Sequence, residues 1–423
     1  MRKLDFRLRQ LAVLAVAAGL WASGFPVLAI ILAAAIPGFY LMLAFSNTVK
    51  PGNSPEVSAE VKRFHDSLFI ADLHTDAGLW RRNFLRRSKW CHLDLPRLKE
   101  GGVGLFMCAM PTRRSAHRKL SWFFGADILM WNQVLQLNPV SAIFSAKSRA
   151  LLQKQHMENW IKASEGALVG IKTQEDLLRL EERRSAGEGV RGVMFAIEGA
   201  HSVTTEEDVV ELAEAGVRTI GLVHFNDNRY GSSAHGNIQG GLTDEGREFV
   251  KKLDRMGLVL DLAHAAEKVI DDVLAMLENG EISRPVIVSH TGLRGCHDHH
   301  RNIADEQAVR VAKNGGIIGI GFFAPALREC TIESLVVTIA HAVSLMNDAG
   351  LNGPEHVAIG SDFDGAVQTM IDTSSMVQVT AELMKPHYGL SQEAIRLIAG
   401  ENLRRFYLNA LPSENESVKS PRP

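Results

Sequence analysis

The sequence predicts an α/β fold: a (β/α)8 TIM-like barrel with a helical insertion after the second strand and an N-terminal membrane helix. Two observations predict the barrel. Short apolar runs alternate with amphipathic segments along most of the chain, the pattern of parallel strands covered by helices. Six of those runs end in a residue able to hold or work on a metal. Phe69–Leu73 leads into His74 and Asp76, Val193–Ile197 into Glu198, and Ile220–Val223 into His224. Leu258–Ala263 leads into His264, Val286–Ser289 into His290, and Val357–Ser361 into Asp362. Active sites of α/β barrels gather at the carboxyl ends of the strands. One such placement means little, but six make a site. A doubly wound open sheet is the rival, weaker because ligands on many strands converge more easily inside a closed barrel.

A third observation predicts the membrane helix. Arg2, Lys3, Arg7 and Arg9 precede a stretch from Leu11 to Phe45 without a charged residue. It is longer than the roughly 20 apolar residues a membrane helix needs, and far longer than the about 7–15 of a secretory signal. Gly24-Phe25-Pro26 interrupts it. Either residues 27–46 form one span, extended by 11–23 as an interfacial piece, or the two halves form a tight hairpin. The short first half favours one span. Residues 1–46 therefore read as an anchor with its basic head in the cytoplasm. That puts the large domain outside a bacterial cytoplasmic (inner) membrane.

Residues 47–64, polar with Pro and Gly, read as a linker. Residues 65–412 read as the barrel domain and 413–423 as a disordered tail. Strands are expected at about 68–74, 103–110, 192–198, 219–225, 257–263, 285–289, 316–322 and 356–361. Helices are expected at Thr205–Ala215, Thr243–Met256, Ala266–Leu277 and Asp305–Lys313, where apolar residues recur at helical spacing and acids open the first turn. Residues 111–190 form an insertion, helical in parts. Its Trp122, Phe123, Phe124, Trp131 and Trp160 either cover the barrel mouth or belong to a packed helical excursion.

The 423 residues suffice for one large domain plus extras, and 46% hydrophobic with 22% charged residues is ordinary globular usage. A net charge of −2 with mixed signs argues against a nucleic-acid surface. The four cysteines (Cys91, Cys108, Cys296, Cys330) show no CxxC pair, which argues against a cysteine zinc site.

The strand-end residues suit metal chemistry. His74 and Asp76, two apart on a strand, point the same way. Glu198 has two oxygens and can bridge two cations; alone it would read as a capping or salt-bridged acid. His264 and His290 are neutral-imidazole ligands for zinc-like metals. With His74 and Asp76 on one ion, His264 and His290 on another, and Glu198 between, the set is a balanced binuclear centre that can hold a bridging hydroxide. Asp362 is placed to accept the proton of the attacking water; Asp364 competes for that part but lies further into the loop. His224 either donates to a developing oxyanion or is a structural histidine paired with Asp227. Arg301 can grip a carboxylate in a bidentate pair. Cys296-His297-Asp298-His299-His300 looks like a metal cluster but lies in a loop with neighbours pointing apart.

The segments DLHTD (72–76), IEGAH (197–201), LVHFNDN (222–228), LDLAH (260–264), VSHTG (288–292), RNI (301–303) and GSDFDG (360–365) together resemble the membrane (renal-type) dipeptidase family, peptidase family M19 of the metal-dependent amidohydrolases. The resemblance implies two zinc ions on His74, Asp76, Glu198, His264 and His290, with Glu198 bridging. It implies that His224 contacts the substrate carbonyl oxygen, that Arg301 holds the dipeptide carboxylate, and that Asp362 recognises the amino terminus and shuttles the proton. It also implies a disulfide between the segments holding Cys296 and Cys330, homodimers, and tolerance of a D-residue at the second position and of some β-lactams. The family's other common cysteine, just after the histidine matching His224, is absent. The expected function is zinc-dependent hydrolysis of dipeptides. Its rivals are another binuclear amidohydrolase, acting on β-lactams or N-acyl amino acids, and a membrane-tethered binding protein without catalysis.

Overall fold

In the computed structural model, which describes residues 14–114 and 127–414, eight parallel strands close on themselves. They are β1 (Ile70–Thr75), β2 (Val103–Pro111), β3 (Arg191–Glu198), β4 (Val217–Gly221), β5 (Val259–Asp261), β6 (Ile287–Thr291), β7 (Ile317–Ile320) and β8 (Val357–Ile359). Each pairs with the next in chain order, and β8 returns to β1 through Ile359 and Asp72. The β2–β3 ladder runs from Leu105–Gly192 to Pro111–Glu198, carrying Glu198 to the rim. All eight strands are buried along their length, which is why they read as unbroken apolar runs rather than alternating ones. Helices cover the outside. The expected helices appear as Glu206–Glu214, Asp244–Arg255, Glu267–Glu278 and Asp305–Lys313. Thr205 and Asp208 cap the first of them reciprocally.

The insertion after β2 contains the helices Ile128–Leu135, Val140–Phe144, Ala146–Ala163 and Gln174–Ser185. A short strand, Leu168–Gly170, pairs with the start of β3. Of the insertion's aromatics named above, neither of the two that are described, Trp131 and Trp160, lines the barrel mouth. Trp131 is exposed. Trp160 packs against the core, whereas Ile128, Leu129 and Asn132 line the barrel mouth. Trp122, Phe123 and Phe124 lie outside the described residues.

The expected membrane segment contains the helix Pro26–Ser46, 21 residues with Pro37 inside it, preceded by a break at Gly24 with φ +83°. Among the described residues no helix is long and apolar enough to cross a membrane. Residues 1–13 and several side chains of Pro26–Ser46 lie outside the described set. Gly38 of this helix comes up against Leu135 of the insertion. Residues 47–64 carry two docked elements. Thr48–Val49 pairs in parallel with Gln368–Thr369, and the Asn47 side-chain oxygen accepts from the Ala366 N–H at 3.0 Å. Ala59–Asp66 is a helix whose first turn is capped by Ser58. Backbone groups at 47–50 thus find partners on the loop after β8 instead of water.

Candidate active site

The carboxyl ends of the strands bring the predicted residues together. His74 Nε2 lies 3.8 Å from Asp76 Oδ1, as the two-residue spacing requires. From the end of β3, Glu198 Oε1 faces four imidazoles: His264 at 3.0 Å, His224 at 3.4 Å, and His74 and His290 at 3.5 Å, each through Nε2. The Nε2 atoms of His264 and His290 are 3.0 Å apart. Asp362 Oδ1 is 4.0 Å from His74 Nε2. Its N–H donates to the His74 carbonyl at 3.0 Å, so the loop after β8 continues the ladder to β1.

Two trios have ligand atoms within 4.8 Å of one another: His74, Glu198 and His290, and Glu198, His224 and His264. The expected pairing of His264 with His290 is also within reach, their Nε2 atoms lying 3.0 Å apart and both within 3.5 Å of Glu198; the trios add His224 beside His264. β4 adjoins β3, so its end sets His224 beside Glu198, while the His74 and His290 rings lie with centroids 3.7 Å apart, tilted by 35°.

The donor set fits metal ions. His74 Nε2, Asp76 Oδ1 and Glu198 Oε2 are buried without a hydrogen-bond partner, a costly state unless something else satisfies them. Burial, reinforced by the neighbouring carboxylates, pushes the Asp76 carboxyl well above its usual range. Burial and then Asp362 do the same to Glu198. Burial holds the imidazoles neutral, the ligand form: His74 falls to about 3, and His224, His264 and His290 fall well below their ordinary value. A second layer orients them. The Ser289 hydroxyl bonds Nδ1 of both His74 (3.1 Å) and His290 (2.9 Å), and Asp261 accepts from the Ser289 N–H at 2.9 Å. Asp72 accepts from the His74 and Ser361 N–H groups at 3.2 and 3.0 Å.

His224 carries a condition that the sequence did not reveal. Its Nδ1 faces the Arg113 carbonyl at 3.0 Å, and a carbonyl only accepts. Nδ1 therefore holds the proton, and Nε2 carries a lone pair while the ring is neutral. It can donate to an oxyanion only as imidazolium. Asp227, the alternative partner, instead accepts from the N–H groups of Ser233, Asn237 and Ile238.

Arg301 is buried, donates from Nη2 to the His290 carbonyl at 2.7 Å, and has no carboxylate at ion-pair distance among the described residues. Burial lowers its guanidinium to about 10 against the pull of Asp362. Of the two competing aspartates, Asp362 lines the cavity. Asp364 is fully buried, ion-paired with Arg82, and accepts the His92 N–H at 2.7 Å. The cavity above the strand ends measures about 750 Å³ and is walled on one side by Phe45, Trp80 and Leu129. His299 and His300 reach its rim, and no candidate metal trio among the described residues includes them. Cys296 and Cys330 are free thiols here; Cys330 Sγ contacts the Phe322 and Gln368 carbonyls at 3.5 Å, so the implied disulfide is not formed.

Two strand-end side chains sit on left-handed backbone, His264 (φ +65°) and Asp362 (φ +61°), a strain typical of functional sites. Gly199 follows Glu198 at φ +82°, and a Cβ there would lie 2.8 Å from that of His224. Gly199→Ala is expected to cost about 1–3 kcal/mol in chemical denaturation and to displace both Glu198 and His224. Wild-type metal content in that variant would contradict this.

The family model for Membrane dipeptidase (Peptidase family M19) matches residues 58–418. The chain belongs to this family. It is accordingly a metallo-dipeptidase, a hydrolase of peptide bonds. A dipeptidase of Clonostachys rogersoniana, verJ, is 28% identical over 331 residues, 76% of each chain. A dipeptidase of Claviceps purpurea, tcpJ, is 32% identical over 224 residues, 50% of this chain and 49% of that one. Among solved structures, a metallo peptidase from Rhodobacter sphaeroides, liganded with a phosphinate mimic of the dipeptide L-Ala-D-Ala, superposes with TM-score 0.65 at 22% identity, covering 81% of this chain and 99% of that one. The probable dipeptidase PvdM from Pseudomonas aeruginosa gives 0.67 at 17%, covering 83% and 98%. At these identities the structures establish the shared barrel of the M19 family.

Sequence reasoning missed several residues of the site. Ser289, Asp261 and Asp72 lie inside the quoted motifs, but only the fold turns them toward the imidazoles. Arg114, Phe225 and His235 also line the cavity. Arg114 comes from the insertion, where no strand pattern marks it.

Proposed function

We propose that the chain hydrolyses dipeptides, including those with a C-terminal D-residue, using two zinc ions held by His74, Asp76, Glu198, His264 and His290. The observation that carries this is Glu198. One of its oxygens lies within 3.5 Å of four imidazole nitrogens, and the other is buried without a partner. A carboxylate so placed suits a bridge between two cations, and an imidazole–carboxylate donor set suits zinc. When bound, the cations supply Lewis acidity and a water of lowered pKa.

The chain's own groups do the rest. Arg301 pairs with the substrate's terminal carboxylate, which favours dipeptides over longer chains. Asp362 receives the substrate amine, takes a proton from the attacking water and returns it to the leaving nitrogen as the C–N bond breaks. Burial pushes Asp362 up to about 7, against the pull of Arg301 and Arg114, which suits a group that must both accept and release a proton. His224 is placed to contact the substrate's carbonyl oxygen; burial keeps its imidazole neutral with the proton on Nδ1, so it would have to take up a proton before donating from Nε2. The D-residue is supported by the likeness to the Rhodobacter protein, whose bound mimic is of an L,D-dipeptide.

The test is a library of L,L- and L,D-dipeptides offered to the metal-loaded full-length protein. Turnover of L,D-dipeptides is expected; hydrolysis of N-acyl amino acids or β-lactams alone would overturn the proposal. Arg301→Ala is expected to lower kcat/KM for dipeptides about 10–100-fold, the loss of a charge-assisted pair, and to leave C-terminally amidated substrates little changed. An equal loss on both would refute its part.

Residues 1–46, with their basic head and the uncharged helix Pro26–Ser46, are proposed to hold the catalytic domain on the outer face of a cytoplasmic membrane. Alkaline extraction of membranes tests the attachment, and full release into the supernatant would contradict it. Protease protection in spheroplasts tests the side.

A further inference from the structure

Arg114 is the second guanidinium of the cavity, and nothing in the mechanism uses it. Its backbone is fixed on both sides. Its N–H donates to Asp127 at 3.0 Å and its carbonyl accepts from Ile128 at 2.7 Å. Just upstream, the Thr112 hydroxyl donates to the Gly199 carbonyl at 3.0 Å, and the Arg113 carbonyl holds His224. The segment is thus tied to the end of β3. The Arg114 side chain stacks on Phe225, 4.2 Å from the ring centroid. That ring gives the guanidinium an aromatic face to rest on, and the side chain lines the cavity. Three further arginines are paired: Arg82 with Asp364, Arg97 with Asp94 and Asp372, and Arg149 with Asp127. Among the described residues Arg114 has no carboxylate at ion-pair distance. Its strongest electrostatic neighbours are Asp362, then Glu198 and Asp76.

Those three carboxylates do not leave Arg114 satisfied once the centre is loaded. Two divalent cations with a bound hydroxide would just balance them, and the guanidiniums of Arg301 and Arg114 would then leave a net positive charge. The loaded cavity is therefore positive and favours an anionic ligand. A dipeptide with neutral side chains brings one carboxylate, for Arg301, and one ammonium, for Asp362. Both Arg114 and Asp362 line the cavity, and Asp362 is the first of Arg114's electrostatic neighbours, so an ammonium at Asp362 would feel its positive charge and a carboxylate on the same substrate residue would offset it. The cavity, about 750 Å³, has room for a longer side chain there.

Building on the dipeptidase reading above, we propose that Arg114 is a specificity-determining residue that grips an acidic side chain on the substrate's N-terminal residue. The preferred substrates are then dipeptides of the form Glu-X or Asp-X, held by guanidiniums at both ends.

The test compares Glu-Ala with Ala-Ala in the wild type, Arg114→Gln and Arg114→Lys. Kinetics are paired with calorimetric binding of the non-hydrolysable phosphinate analogues of both dipeptides, and with metal content. The wild type is expected to favour Glu-Ala by tenfold or more in kcat/KM, roughly the effect of one charge-assisted pair. Arg114→Gln should erase that preference in both kinetics and binding and retain full metal; Arg114→Lys should restore part of it. Equal wild-type rates on the two substrates would overturn the inference while leaving the dipeptidase reading intact. So would an equal loss on both in Arg114→Gln, which would make Arg114 a counter-ion of Asp362. Failure of the wild type on every dipeptide would sink the underlying reading instead.

Discussion

Replacing Glu198 with Gln is expected to empty the metal centre and abolish measurable turnover. Gln keeps the volume, so the barrel core has no cavity to fill. What changes is charge and donor chemistry. An amide nitrogen or a neutral oxygen would face the nitrogens of His74, His224, His264 and His290, all now within 3.5 Å of Glu198 Oε1. Changing an outer-shell partner of a metal ligand typically costs about 10–100-fold in affinity or activity; a bridging ligand shared by both ions should cost more than that upper figure. Elemental analysis after gel filtration checks it. A Glu198→Gln protein that retains its metals and most of its activity would contradict the bridging role.

Asp362→Asn is expected to do the opposite to the metals and the same to the rate. Asp362 Oδ1 lies 4.0 Å from His74 Nε2 and is not one of the proposed metal ligands, so metal content should hold. Turnover should fall about 10²–10⁴-fold, the usual contribution of a positioned general base. The pH dependence has a defined sign. Burial raises the Asp362 carboxyl to about 7, and the base form is the deprotonated one. Activity should therefore fall as pH drops through the folded value, which bound cations displace downward from 7. The residual activity of the Asn variant should lack that acid limb. A limb unchanged in the variant would assign it to another group.

Much of this was legible because buried parallel strands have a period-free apolar signature and end abruptly at their working residues. His74, Glu198, His264 and His290 were visible for that reason, and the i, i+2 spacing of His74 and Asp76 paired them on one face. The closed barrel then had to bring the strand ends together. What the sequence withheld was lateral order at the rim. Only the adjacency of β3 and β4 shows that His224 stands beside Glu198, and only the Arg113 carbonyl fixes which nitrogen of His224 carries the proton. Asp362 and Asp364 share a loop and a composition; Arg82 and His92, distant in sequence, claim Asp364 and leave Asp362 to the cavity. Residues 47–50 read as linker by composition. Their docking depends on backbone pairing with Gln368–Thr369, which side-chain identity does not encode. Arg114 was illegible for a similar reason: it lies in an insertion, held by Asp127 and Phe225 rather than by a strand.

The central claim is that two metal ions share Glu198. A crystal structure of the metal-loaded full-length protein, with anomalous data collected above and below the zinc edge, tests it directly. Two zinc peaks flanking the Glu198 carboxylate are expected, with Nε2 of His74, His264 and His290 in reach. A single peak, or peaks gathered in the His297–His300 loop with none at Glu198, would contradict the account.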